Sequence, residues 1–227
     1  MVPSKPTRAL LLSGALVVWS GLVAPRVPAR WLVPLHAAGG AGLVALVNAP
    51  LGLDPPALRG GLRLGVAAAT VVSAGVAAAT ALPRVRAAMA ERELPDPAAG
   101  WLLLRIPVGT VWSEEAAFRA ALGTLAAEAF GPRWGRLLQA TVFGLSHVAD
   151  ARGAGEPVVG TVLVTGAAGW VFGWLHSRSG SLLAPMLAHL ATNEAGAVAA
   201  LAIHLRRRGR PPSAGAAPCR DRRCRRR

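Results

Sequence analysis

The 227-residue chain contains no tyrosine, a single lysine and few charged residues, which make up only 16% of the sequence. Ten arginines and one aspartate in residues 206–227 carry +9 of the net charge of +14. Nucleic-acid-binding proteins present positive charge on a folded face, so this terminal charge argues against a nucleic-acid-binding globule. Disorder of residues 1–205 is excluded as well, because 53% of the chain is hydrophobic. The composition therefore predicts a membrane protein.

Cysteine is nearly absent, and both cysteines, Cys219 and Cys224, lie in the arginine-rich segment. Two thiols with no further Cys or His nearby do not make a zinc site. The three arginines after Cys224 exclude a prenylation motif. We expect residues 206–227 to be a disordered cytoplasmic tail with inert thiols, in contact with anionic lipid headgroups.

Seven segments are apolar enough for membrane helices, since about 20 apolar residues cross the hydrocarbon core of a bilayer. Three of them, residues 9–24, 31–53 and 64–82, precede a polar loop at residues 83–100. Four follow it, at residues 101–130, 134–148, 157–176 and 181–205. The sequence thus predicts an all-α, multi-pass protein of the cell membrane. We expect about three N-terminal helices within residues 1–97, a four-helix catalytic core at 98–205 and the tail at 206–227.

The topology is less determined than the number of helices. Arginine-rich ends stay in the cytoplasm, and Lys5 and Arg8 favour a cytoplasmic N-terminus as well. An odd number of spans cannot satisfy both ends. The segment at 31–53, which contains prolines and paired glycines, is a candidate for not spanning, and the side of the N-terminus stays open.

The first polar cluster within the apolar segments is formed by Glu114, Glu115 and Arg119. Ionisable groups inside a bilayer cost about 2.5–3.5 kcal/mol each on insertion scales and are functional candidates by default. Glu115 and Arg119 are four positions apart, in the order that favours an ion pair on one helix face. Glu114 projects elsewhere and has no local partner, so it is a candidate general base. An ion pair at a helix end facing water is an equally acceptable interpretation of the spacing alone.

Two further clusters each contain one histidine. Phe143 and His147 share a helix face, and Gly144 allows a second helix to approach closely. His189 and Asn193 lie one turn apart and could polarise a carbonyl or an oxyanion. Taken singly, each histidine is explained as well or better by structural hydrogen bonding.

The three clusters together favour one polar pocket, because buried polar groups in neighbouring apolar helices need mutual partners. Glu114, His147, His189 and Asn193 supply a base, imidazoles and an amide, which are the groups needed to activate water and stabilise an oxyanion. His and Glu are also common zinc ligands. A divalent metal such as zinc is therefore a candidate cofactor, with Glu114, His147 and His189 as contacts.

The order of these motifs resembles the CAAX-processing and bacteriocin-processing (CPBP, or Abi) family of intramembrane proteases. The matching patterns are EExxxR at 114–119, FxxxH at 143–147 and HxxxN at 189–193. The resemblance covers about residues 100–200. It implies that Glu114 activates water with help from His147, that His189 and Asn193 stabilise the oxyanion, and that Arg119 holds Glu115. Family descriptions divide between a glutamate mechanism and a metalloprotease.

The leading hypothesis is an intramembrane endopeptidase that cleaves a protein or peptide at the membrane. The alternative is a non-catalytic immunity or partner-binding protein of the same fold, and a proton relay or transporter is a weaker third hypothesis.

Outside the motifs, three further histidines are predicted to lie at the membrane interface: His36, His176 and His204. Asp150 and Arg152 are predicted as loop charges that end the fifth helix.

Overall fold

The computed structural model describes residues 3–208, which contain helices and no strand. The N-terminal half contains α1 (Lys5–Arg26), α2 (Ala29–Val47), α3 (Ala57–Thr80) and α4 (Pro83–Glu91). The C-terminal half contains α5 (residues 98–130), α6 (132–146), α7 (Val148–Gly153), α8 (Val158–Ser179) and α9 (Leu183–Arg208). The predicted all-α, multi-pass membrane architecture is confirmed, because α1, α2, α3, α8 and α9 are long and apolar enough to cross a membrane.

The break between α5 and α6 falls where the sequence predicts it. Gly131 has φ 81° and ψ 165° and is followed by Pro132, so the helical hydrogen-bond ladder stops there. At the end of α8, Gly180 adopts the left-handed conformation with φ 69°, the usual way to terminate a helix. The tight turn that follows sends α9 back past α8.

Several predicted boundaries are wrong. The polar loop at 83–100 contains α4, because Pro83 starts a helix readily and the residues after it are mostly good helix formers. The second segment ends at Val47 instead of residue 53, since Asn48 adopts the left-handed conformation with φ 54°. Helix α9 continues to Arg208, three residues into the predicted tail. Residues 209–227, with Cys219 and Cys224, lie outside the described part.

Apolar side chains point outward and several charged ones point inward. Leu46, Leu103 and Val71 are each more than 70% exposed, whereas Arg119 and Glu115 are fully buried. This distribution is typical of a protein whose surroundings are hydrocarbon, because an ionisable group there is stabilised only by partners inside the bundle. The interior of the bundle is therefore where the chemistry of this chain lies.

Close helix packing fixes the frame around those charges. A Cβ atom on Gly144 of α6 would stand 2.6 Å from the Val162 carbonyl oxygen of α8, and one on Gly169 of α8 would stand 2.8 Å from Phe143. In the same way, a Cβ on Gly40 of α2 would stand 3.1 Å from the Ala116 side chain of α5. Small residues at these positions let the backbones meet without a gap.

Candidate active site

Helix α5 presents the two adjacent carboxylates in different directions. Its backbone has the wide π-type turns over Trp101–Trp112 and Glu115–Leu122, a geometry that is frequent at functional sites. Glu114 lies at the junction of these two stretches. Its side chain is 28% exposed, whereas that of Glu115 is completely buried. The two carboxylates therefore have different surroundings, although they are neighbours in the chain.

Glu115 is held by a buried arginine from its own helix. Arg119 Nε lies 3.1 Å from Glu115 Oε2, so the ion pair predicted from the spacing is present. The contact does not have the angle of a hydrogen bond, and the guanidinium stacks over aromatic rings instead. Its Cζ atom is 3.9 Å from the centroid of Phe143 and 5.1 Å from that of Phe172. Cation–π attraction thus adds to the ion pair in keeping the charge buried.

His189 connects the two carboxylates. Its Nδ1 lies 2.7 Å from Glu115 Oε1 and its Nε2 lies 3.8 Å from Glu114 Oε2. The ring stacks on Phe172 with a centroid distance of 5.0 Å. Since a carboxylate only accepts hydrogen bonds, Nδ1 is the donor to Glu115. The edge of the ring that carries Nε2 is therefore directed toward Glu114.

His147 lies at the junction between α6 and α7, near the end of the segment predicted at 134–148. Its φ of −89° and ψ of 4° are not those of a regular helix, and α7 begins at the next residue. Its Nδ1 donates to the Phe143 carbonyl oxygen at 2.7 Å, and its ring packs edge-on against the Phe143 ring. The predicted proximity of Phe143 and His147 is present, and Nε2 is left for other partners.

Asn193 is committed in part to its own helix. One of its amide hydrogens is donated to the His189 carbonyl oxygen at 3.2 Å. Asn193 is half-buried, and it is not among the residues that line the cavity beside Glu114. The second amide hydrogen and the side-chain oxygen remain for another partner.

A cavity of about 490 Å³ opens beside Glu114 and His147. Helices α1 and α2 form its far wall, which is mostly apolar. A peptide segment entering it would be surrounded by hydrocarbon-like surface and would meet polar groups mainly from α5 and the α6–α7 junction. The polar side chains on its lining are Ser20, His36, Ser113, Glu114, Ser146, His147 and Asp150.

Two of these lining residues have surroundings that the sequence did not indicate. The Nδ1 atom of His36 lies 3.2 Å from the Gly109 carbonyl oxygen, and its ring meets the Trp19 ring edge-on. Asp150 belongs to α7 and not to a loop. The sequence offered little sign of either position, since neither residue belongs to a motif and packing between distant helices decides both.

The residues considered for a metal are not arranged as a ligand set. Among residues 3–208, no group of three or more His, Cys, Asp or Glu side chains could hold a metal ion. His189 directs Nδ1 to Glu115, and His147 directs Nδ1 to a backbone carbonyl. Glu114, His147 and His189 as they stand do not fit a metal, and metal dependence stays a prediction.

The C-terminal part of the chain was compared with models of known protein families. Residues 96–195 match the family model described as type II CAAX prenyl endopeptidase Rce1-like. This segment is an Rce1-like domain. The resemblance to CPBP intramembrane proteases is thereby confirmed. Comparisons with curated proteins and with solved structures give no significant match.

The Rce1-like domain contains the whole predicted set of polar residues, from Glu114 to Asn193. Membership supports an intramembrane protease activity of the CAAX type in general terms. Helices α1 and α2 lie outside the matched segment, yet they supply Leu16, Trp19 and His36 to the cavity.

Proposed function

We propose that this chain is an intramembrane endopeptidase in which Glu114 activates water to hydrolyse a peptide bond of a membrane-associated protein or peptide. The observation that carries the proposal is the division of labour between adjacent carboxylates. Glu115 is neutralised by Arg119 at 3.1 Å, whereas Glu114 lines a cavity large enough for a peptide segment. Of these two carboxylates, Glu114 is the one that a substrate in the cavity can reach.

Water activation is the first step. Glu114 accepts a proton from a water molecule as the water oxygen attacks the carbonyl carbon of the substrate. His147 assists from the same cavity: with Nδ1 occupied by the Phe143 carbonyl, its Nε2 can accept a hydrogen bond from that water and orient it. Positioned general bases of this kind contribute about 10²–10⁴-fold to a rate.

The developing oxyanion is stabilised by His189. Because Nδ1 donates to Glu115, Nε2 carries a proton only in the cationic ring. We propose that the ring acts in this form, with Glu115 at Nδ1 and Glu114 on the side of Nε2. The proton on Nε2, near Glu114, is then available to an oxyanion. Asn193, one turn further along α9, adds its second amide hydrogen.

Breakdown of the tetrahedral intermediate completes the reaction. The proton held by Glu114 passes to the leaving amide nitrogen as the carbon–nitrogen bond breaks. The products are a carboxylic acid and an amine, which exchange a proton to become a carboxylate and an ammonium ion, and Glu114 returns to its charged state. Only water is consumed, so the steps balance without another reactant. Arg119 and Glu115 act as positioning residues, because they hold His189 and do not touch the reacting atoms.

The proposed setting follows from the same features. We propose that the protein lies in the cell membrane with residues 206–227 in the cytoplasm, where ten arginines would meet anionic headgroups. The substrate would enter from the bilayer into the cavity between α1, α2 and α5.

The test is a cleavage assay with the full chain purified in detergent. The probes are two internally quenched peptides that end in a CAAX sequence, one with a prenylated cysteine and one without. We expect cleavage of at least one peptide by the wild-type protein. A purified, folded protein that cleaves neither peptide, and whose biological effect survives Glu114→Gln, would instead support the non-catalytic immunity or partner-binding protein.

A further inference from the structure

His36 lies in α2, outside the Rce1-like domain. His36 lines the cavity together with Glu114. Its Nδ1 lies 3.2 Å from the Gly109 carbonyl oxygen of α5, and Gly109 precedes Glu114 by one wide turn of that helix. The imidazole is therefore anchored on the same helical segment that presents the proposed base.

The anchoring contact determines the tautomer of His36. A carbonyl oxygen only accepts, so Nδ1 must be the donor and carry the proton. In the neutral ring Nε2 is then a bare acceptor. Nε2 is buried and has no hydrogen-bond partner among the described residues. A buried acceptor without a partner costs about 1–3 kcal/mol, which a ligand that donates a hydrogen bond can recover.

A peptide bound in the cavity would have backbone N–H donors that need acceptors. The wall formed by α1 and α2 is mostly apolar, so the backbone N–H groups of a peptide that lies against it lose their water and find few acceptors there. Trp19, whose ring centroid is 5.8 Å from that of His36, also lines the cavity. His36 Nε2 is an acceptor without a partner within residues 3–208, and a backbone N–H of the peptide is a donor without one, so the two can form a hydrogen bond.

We infer that His36 Nε2 accepts a hydrogen bond from a backbone N–H of the bound substrate and so contributes to substrate binding from outside the Rce1-like domain. The inference rests on the proposed function for the identity of the occupant as a peptide. It assigns α2 a direct part in recognition. The contact requires a main-chain N–H and therefore sets where the chain lies and not which side chains it has.

Two variants separate this role from the anchoring of Gly109. An asparagine at position 36 can place its amide nitrogen near the Nδ1 position and keep the bond to Gly109, but it has no atom at the Nε2 position. A glutamine can place its carbonyl oxygen near the Nε2 position and restore the acceptor, but it gives up the bond to Gly109. His204 is a matched control, because its Nε2 lies 3.3 Å from the Met89 carbonyl oxygen, away from the cavity.

The experiment measures KM and kcat for the quenched CAAX peptides. It also measures Kd in the Glu114→Gln background, where binding is observed without cleavage. We expect His36→Asn to raise KM and Kd about tenfold, equivalent to about 1.4 kcal/mol. The value of kcat should change by about twofold or less, because the reacting groups are intact. His36→Gln should recover most of the affinity, and His204→Asn should match the wild type.

An ester scan of the peptide identifies the donor. Each backbone N–H away from the cleaved bond is replaced in turn by oxygen, which removes one donor. One position should lose about tenfold in affinity with the wild type and nothing more with His36→Asn. Equal effects of Asn and Gln, or a scan without any coupled position, would overturn the inference even if the peptide is cleaved.

The outcomes distinguish the two proposals. Binding with a coupled position but without cleavage would support His36 as a binding residue and contradict the endopeptidase. Cleavage without a coupled position would do the reverse. If neither the wild type nor Glu114→Gln binds the peptides, both proposals are contradicted. A cavity whose buried acceptor has no partner in the described part of the chain should retain a peptide that donates a hydrogen bond to it.

Discussion

His189 Nδ1 lies 2.7 Å from Glu115 Oε1, although the two residues are 74 positions apart in the chain. On the other side of the same carboxylate, Arg119 Nε lies 3.1 Å from Oε2. Glu115 therefore ties α9 to α5 and determines which nitrogen of His189 faces Glu114. One carboxylate of the pair is thus occupied by structural contacts, whereas the other lines the cavity.

Removing the Glu115 carboxylate should destabilise the protein more than removing both members of its ion pair. Glu115→Leu leaves the Arg119 guanidinium buried and unpaired, a change that costs about 3–5 kcal/mol in comparable sites. The double variant Glu115→Leu, Arg119→Leu removes that uncompensated charge, so its melting temperature in detergent should lie above that of Glu115→Leu. Additive losses in the two single variants and the double variant would show that the pair is not coupled.

His189 should separate stability from activity. In His189→Asn the side-chain amide can still donate to Glu115, but the atom that faces Glu114 is gone. We expect a melting temperature near that of the wild type and a kcat lower by about 10²-fold or more. His189→Leu also loses the contact with Glu115 and should melt several degrees lower. Similar melting temperatures for the two variants would contradict the structural part of this assignment.

Gly144 should be intolerant of a methyl group, whereas Gly166 on the facing helix should tolerate one. A Cβ on Gly144 would stand 2.6 Å from the Val162 carbonyl oxygen, but one on Gly166 meets its nearest neighbour at an ordinary 3.5 Å. Gly144→Ala should therefore push α6 away from α8, lower the melting temperature and displace His147. Gly166→Ala should leave both stability and cleavage unchanged. The matched pair is checked by thermal unfolding and by the cleavage rate.

Local sequence spacing predicted the contacts that are made within one helix. Glu115 and Arg119 are four positions apart and form an ion pair, and Phe143 and His147 are four apart and touch. The break at Gly131 falls between the segments predicted at 101–130 and 134–148. These features depend on backbone geometry that a few residues determine by themselves.

The remaining contacts depend on which helices become neighbours, and an apolar helix in a membrane gives few signs of that. The bond between His189 and Glu115 joins separate helices, and nothing near His36 indicated that it would face Gly109. The sequence analysis did not predict that α1 and α2 line the cavity, for the same reason. The segment predicted at 134–148 extends two residues beyond α6, because His147 forms the junction with α7.

The most direct test of the account compares Glu114→Gln with Glu128→Gln in the same cleavage assay. Glu128 lies on the same helix, and its exposed carboxylate is 3.6 Å from Lys5, a type of surface pair worth about 0–1 kcal/mol. Glutamine keeps the shape of each side chain and removes its basicity. The account predicts that Glu114→Gln lowers kcat by about 10²-fold or more with an unchanged melting temperature, while Glu128→Gln cleaves at the wild-type rate. A folded Glu114→Gln protein that cleaves as fast as the wild type would contradict it.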